Sequence, residues 1–199
     1  VAFVASSGNL KNVEIKDSNA FDLSALTLAK VGGAGGDLTV IAGGAVTDSG
    51  TLVIPGAATI SASGQNVTLD DSSNDFGTLA ITGANVEIID TNAIILGPAT
   101  VTGTYAVTAG GAVTDSGTQE ITGVTTLVAG SGNDITLNTS TNNFAAAVVI
   151  TSGRNVAITD EDTIDLGAVT VSGTYGITAG GPVTDSGTQE IAGITTISA

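Results

Sequence analysis

Apolar and polar residues alternate along most of this chain in short segments that stop at Gly, Asn or Asp. Val86-Glu87-Ile88, Tyr105-Ala106-Val107, Gln119-Glu120-Ile121, Ile135-Thr136-Leu137 and Val156-Ala157-Ile158 are examples. A period of two with many β-branched residues predicts strands, and the punctuation predicts turns. No segment keeps apolar residues at helical spacing behind a helix start, and Gly or Pro interrupts nearly every candidate. The chain is therefore expected to be all-β.

The alternation is itself repeated. AGGAVTDSG spans Ala42 to Gly50 and returns at Ala109 to Gly117, then as AGGPVTDSG at Ala179 to Gly187. Asn85-Val86-Glu87-Ile88 corresponds to Asn155-Val156-Ala157-Ile158 and, more loosely, to Asn12-Val13-Glu14-Ile15. The long repeats lie near residues 12–84, 85–154 and 155–199, the last one partial, within a single solenoid domain over 1–199. The first copy carries extra residues between Leu28 and Val40 that read as a loop excursion.

Inside each long repeat, Asn66 and Asn85 open equivalent units 19 residues apart. Turns of about 19–23 residues fit a three-sided parallel β-solenoid. Three turns per long repeat predict roughly nine in all, a rod on the order of 40–45 Å long at the spacing of paired strands. Val86, Ile88, Val156 and Ile158 are expected to face inward. Val124 to Gly132 reads as an additional strand, predicting a longer turn or one with four strands.

Composition narrows the core and the chemistry. Of 199 residues 42% are hydrophobic but only 3% aromatic, which suits a narrow interior of Val, Ile, Leu and Ala. The absence of His and Cys removes nucleophile–His pairs, thiol catalysis, zinc sites and disulfides. A chain without Met is expected to be a processed or excised piece. Net charge is −15, and beyond Lys30 the single base is Arg154, so phosphates and anionic lipid should be repelled. No nucleic-acid partner, membrane-inserted segment or catalysis is expected.

Candidate sites are few. Gly32-Gly33-Ala34-Gly35-Gly36-Asp37-Leu38-Thr39-Val40 fits the nonapeptide of calcium-binding β-rolls, with Asp37 as the ligand. Asp70, Asp71 and Asp75 form a second acidic corner, and Asp160, Glu161, Asp162 and Asp165 a third. Clustered carboxylates can hold calcium or act as acid and base on sugars. A Gly-rich loop and solvated acidic corners are the favoured readings, so no catalytic residue, metal or cofactor is expected, with calcium the one ion these residues would invite. Tyr105 and Tyr175 share one repeat position, which argues for a structural role. Thr47-Asp48-Ser49, Thr114-Asp115-Ser116 and Thr184-Asp185-Ser186 precede Gly and are expected to cap their own turns, three solenoid turns apart. Asn12, Asn66, Asn85 and Asn155 should stack as a ladder. Thr-x-Thr pairs are too irregular for an ice-binding face.

The stretch GTYAVTAGGAVTDSGTQEITGVTTLVAGSGNDITL, residues 103 to 137, resembles the repeat arrays of filamentous-haemagglutinin-like bacterial adhesins. The resemblance covers nearly the whole chain, without the Asn-Pro-Asn-Leu or Asn-Pro-Asn-Gly-Ile motifs of that family's secretion domain. It implies a secreted right-handed β-helix, a stretch of shaft at the bacterial surface that serves as stalk, adhesin or fibre. A chain without disulfides suits passage through an outer-membrane pore. The partners it implies are flanking repeats or head-to-tail copies, with a host surface or glycan beyond them. A polysaccharide-binding or polysaccharide-degrading β-helix is the alternative. Both ends, Val1-Ala2-Phe3-Val4 and Ile194 to Ala199, interrupt the pattern without a cap, leaving open solenoid ends.

Overall fold

The computed structural model describes residues 10–199; the Val1 to Val4 end lies outside them. Every element among these residues is a strand or a turn, and all strand-to-strand pairings are parallel. The chain winds as a β-solenoid: ten strands follow one another along the first sheet, one turn apart, which makes the roughly nine turns expected. Strands from successive turns stack into two sheets of 13 and 10 strands. The first sheet follows Asn12–Asp17, Asp37–Ala42, Leu52–Ser61, Asp75–Gly83, Ile94–Val101, Val113–Asp115, Ile135–Leu137, Val156–Asp160, Tyr175–Ala179 and Thr195–Ser198. The second follows Phe21–Leu23, Val46–Asp48, Val67–Leu69, Val86–Asp90, Tyr105–Ala109, Thr125–Val128, Val148–Gly153, Ile164–Val171 and Val183–Asp185.

Two sheets stand where three sides were expected, because several strands bend around a corner without breaking. Ile94–Val101 pairs through Ile94 to Leu96 with Val113–Asp115, and through Ala99 to Val101 with Gln119–Ile121. One long strand is thus continued by two short ones, and the register slips at Gly97-Pro98 between them. Pro has no N–H to give to a ladder, so this bend falls where pairing is already interrupted. Thr125–Val128 is an ordinary rung between Tyr105–Ala109 and Val148–Gly153. The turn above it is long, with Thr125 paired to Val148, and no fourth strand is added.

The long repeat is not a whole number of turns. Between Asp37–Ala42 and its counterpart Tyr105–Ala109 the chain changes sheet an odd number of times. A long repeat therefore spans about three and a half turns in place of three. Equivalent strands alternate between sheets: Asn12–Asp17 lies in the first, Val86–Asp90 in the second, Val156–Asp160 in the first again.

The interior is the expected aliphatic column. Val86, Ile88, Val156 and Ile158 are each no more than 2% exposed. Inward residues at one position stack on their partners one turn away, as Val67 on Val86 and Val86 on Tyr105. Fully burying one such side chain contributes roughly 1.5–3 kcal/mol before entropy is charged. Phe76 and Phe144 fill equivalent interior corners on Ile54 and Ile121.

The Gly-Gly of the repeated AGG string has a steric cause. Gly110 donates its N–H to the Asp90 carbonyl, and a Cβ there would come within 2.2 Å of the Thr91 carbonyl oxygen. Gly180 sits the same way on Glu161, at 2.0 Å. The corner of one turn rests directly on the corner below, and no side chain fits between.

Candidate functional site

The polar groups that sequence singled out are organised chiefly as fasteners between turns. Asp115, of the second Thr-Asp-Ser triplet, accepts hydrogen bonds from the backbone N–H of Asn138 and Thr139 and from Asn142 Nδ2, at 3.0, 3.1 and 2.7 Å. Asp48 does the same in the first copy, with Asp70, Asp71 and Asn74 as donors. Asn74 and Asn142 are fully buried, and their Oδ1 atoms accept the N–H of Leu52 and Gln119. Thr47 and Ser49 hydroxyls reach the other way, to Asp22 in the preceding turn, as Thr184 and Ser186 reach Asp165. In the middle copy Ile95 occupies the place of Asp22 and Asp165, and this grip is missing.

The triplets thus do not cap their own turns as expected. Their side-chain bonds span 19 to 27 residues, from one turn to the next. Thr47 and Thr184 lie in the second sheet and Thr114 in the first, so the copies also do not form one column.

A second fastener adjoins the first, at the residues two beyond Asn74 and Asn142. Asp90 accepts the Asn92 N–H within its own turn and the Phe76 N–H of the turn before. Asp160 repeats this with Asp162 and Phe144. Both carboxylates are 2% exposed. Burial pushes the carboxyls of Asp48, Asp90 and Asp160 above the usual range, since the charged form loses its water; the hydrogen bonds they accept offset part of that.

The Asn ladder is present in two short pieces. Asn66 Oδ1 accepts from Asn85 N and Nδ2, and Asn85 Oδ1 accepts from Thr104 N. One long repeat later Asp134 takes the place of Asn66, then Asn155 and Thr174 follow. Asp134 also holds Arg154 through Nε and a terminal guanidinium nitrogen, at 2.8 and 2.7 Å. That guanidinium holds its carboxyl well below the usual carboxylate range. Asn12 Oδ1 accepts the Asp37 N–H.

The calcium candidates are engaged in the same way. Asp37 Oδ1 accepts the Ala57 N–H, and Asp71 Oδ1 accepts the Ser73 N–H and the Thr51 hydroxyl. Asp70 is exposed and offers its N–H to Asp48, while Asp75 enters the strand Asp75–Gly83 beside Val53. The Gly-rich segment is a tight turn closed by Val31 and Ala34, where Gly32 and Gly33 take φ of 64° and 81°. Among the described residues, no three His, Cys, Asp or Glu side chains are grouped so as to hold a metal ion. Of the third acidic corner, Asp160 holds backbone N–H groups with the Asp162 carboxyl close beside it, and Asp165 holds the Thr184 and Ser186 hydroxyls.

Shallow grooves mark the surface of the described residues. One of about 250 Å³ is lined by Asn66, Thr68, Asn85, Glu87 and Thr104. Another, about 400 Å³, runs along a corner past Ser131, Val171, Ser172 and Ile191. Sequence reasoning missed Asn74 and Asn142, the buried partners of the triplet Asp. Their signal was the spacing: Asp48 to Asn74 is 26 residues and Asp115 to Asn142 is 27.

Parallel strands stacked turn on turn and fastened by repeated side chains define a repeat protein of the β-solenoid class. The chain belongs to the family described as repeats of unknown function, DUF5649, which matches residues 10–82, 83–151 and 153–199. Comparison with curated proteins and with solved structures found no match.

Proposed function

We propose that this solenoid is a structural shaft: a secreted, extracellular segment at a bacterial surface that serves as the stalk of an adhesin or as a fibre subunit, without catalysis or cofactor. One observation carries the reading. Carboxylates and amides that could do chemistry, among them Asp48, Asp90, Asp115, Asp160, Asn74 and Asn142, spend their hydrogen bonds chiefly on joining one turn to the next. A surface built this way resists unwinding and spaces whatever lies at its ends. Flanking repeats or further copies are the partners such a role requires, with a host surface or glycan met elsewhere. The charge of −15 opposes nucleic acid, and no helix among the described residues is long and apolar enough to cross a membrane.

Negative-stain microscopy of the purified chain tests this. Rods on the order of 40–45 Å long, separate or joined end to end, are expected from roughly nine turns at strand spacing. A particle with no long axis would overturn the proposal. So would release of reducing sugar from a polysaccharide, if Asp162→Asn abolished it.

A further inference from the structure

The three Thr-Asp-Ser triplets sit on the turn before them in one register, Thr47 on Asp22, Thr114 on Ile95 and Thr184 on Asp165. In the first and third copies the carboxylate takes both hydroxyls of the triplet, at 3.0 and 2.6 Å for Asp22 and at 3.4 and 2.7 Å for Asp165. In the middle copy Ile95 stands there, 41% exposed, and neither Thr114 nor Ser116 has a carboxylate to reach. The junction concerned, between residues 94–109 and 113–128, has further turns stacked on both sides of it.

Other observations fall on the same junction. Tyr105 pairs with Thr125 across it, and Ala99 with Gln119. The Tyr105 hydroxyl, Thr125 Oγ1 and Gln119 Oε1 are buried there without a hydrogen-bond partner. Asn85 fastens the junction below by accepting from the N–H and hydroxyl of Thr104, but the next residue in that line is Val124, 39% exposed. Backbone pairing is interrupted between Leu96 and Ala99, where Pro98 has no N–H to give and Gly117 lies against its ring. Among the described residues, the one side-chain hydrogen bond between these two segments runs from Gln119 Nε2 to the Gly97 carbonyl. The junction above has the three-donor grip of Asp115 and the Asn142 bond to the Gln119 N–H.

We infer that this junction is a yielding joint, the place where the rod parts first. One block ends near Ala109 and the other begins near Val113, tethered through Gly110-Gly111-Ala112, and the turns within each block stay stacked. In a solenoid each turn is held by its neighbours alone, so the poorest interface decides where opening starts. Buried polar groups without partners favour opening there, because water satisfies them once the turns separate. The use of such a joint, to relieve strain in a loaded shaft without loss of either block, rests on the shaft reading; the joint itself does not.

Native-state amide exchange of the full chain is the test. The N–H groups of Ile94, Ala99, Tyr105, Ser116 and Thr122 bond across the joint. Those of Val86, Thr102 and Gly103 bond across the junction below, and those of Val113, Thr125 and Ala145 across the junction above. The first set should exchange together, on the order of tenfold faster than either of the others. Ile95→Asp should slow that set alone, on the order of tenfold, by giving Thr114 and Ser116 the acceptor that Asp165 gives Thr184 and Ser186. Ile95→Ala, which adds no acceptor, should not slow it. Exchange across the joint no faster than across its neighbours overturns the inference in the unaltered protein, whether or not Ile95→Asp folds. Ile95→Asp that leaves the first set unchanged, or slows all three sets alike, overturns it as well. These results leave rods in micrographs, and with them the shaft reading, intact; absence of rods refutes the shaft reading and leaves the joint to be decided by exchange.

Discussion

Tyr105 stands where Leu38 stands one long repeat earlier, and both are buried. The aromatic ring fits the column, but its hydroxyl is enclosed without a hydrogen-bond partner among the described residues, as is that of Tyr175. Burial pushes both phenols above their usual range, with no charge or donor to oppose it. Leaving a buried hydroxyl unpaired costs about 1–3 kcal/mol. Tyr105→Phe should therefore raise unfolding free energy by about 1 kcal/mol, part of the gain being forfeited to the small void it leaves. Denaturant unfolding of the two proteins measures this. A loss of similar size would mean that the hydroxyl has a partner this geometry does not reveal.

At the scale of elements, the two copies of VTDSG allow a comparison within one molecule. If Asp held its own turn, Asp115→Ala and Asp185→Ala would cost alike. The structure assigns the bonds of Asp115 to the turn above, so its loss strips three bonds and leaves the Nδ2 of buried Asn142 unpaired. Asp115→Ala should cost about 2–4 kcal/mol in thermal or denaturant unfolding, and Asp185→Ala close to nothing. Equal losses would return the triplet to a local turn cap. The same contrast explains what sequence could disclose. Strand identity, inward residues such as Val86 and Ile158, and stacking into a solenoid follow from period two and from self-similarity, which are local or nearly so. The half-turn in each long repeat does not, because it depends on Ile94–Val101 bending through a corner where a break was equally compatible with Gly97-Pro98. Nor does the role of Asp48, whose local context before Ser49-Gly50 reads as turn chemistry while its partners lie a turn away. The bonds of Asp37, Asp70 and Asp71 were hidden for a like reason, since the Ala57 N–H, the Asp48 carboxylate and the Thr51 hydroxyl that engage them are remote in sequence.

The whole molecule carries −15 on a thin rod, and its response to pH follows from where those charges sit. Asp48, Asp90 and Asp160 have folded pKa values raised by burial, so the folded state binds protons more tightly than the unfolded chain does. Their contribution to stability is full below the ordinary carboxylate value and is lost as pH rises through the raised values. Repulsion among the remaining carboxylates acts in the same direction, since it weakens as they protonate. Asp134 opposes both: its value is lowered by Arg154, so its contribution is kept above the ordinary carboxylate value and is lost as pH falls toward the lowered one. The melting temperature should accordingly climb from pH 7 to about 4.5 and turn down only below about 3.5, where Asp134 releases Arg154. Salt should reproduce part of the climb at pH 7 and little of it at pH 4.5, because it screens exposed charges and leaves the buried ones untouched. Melting curves across pH at low and high salt separate the two contributions. A steady fall in stability from pH 7 downward would mean that Asp90 and Asp160 are held charged by their backbone donors more strongly than burial disfavours them.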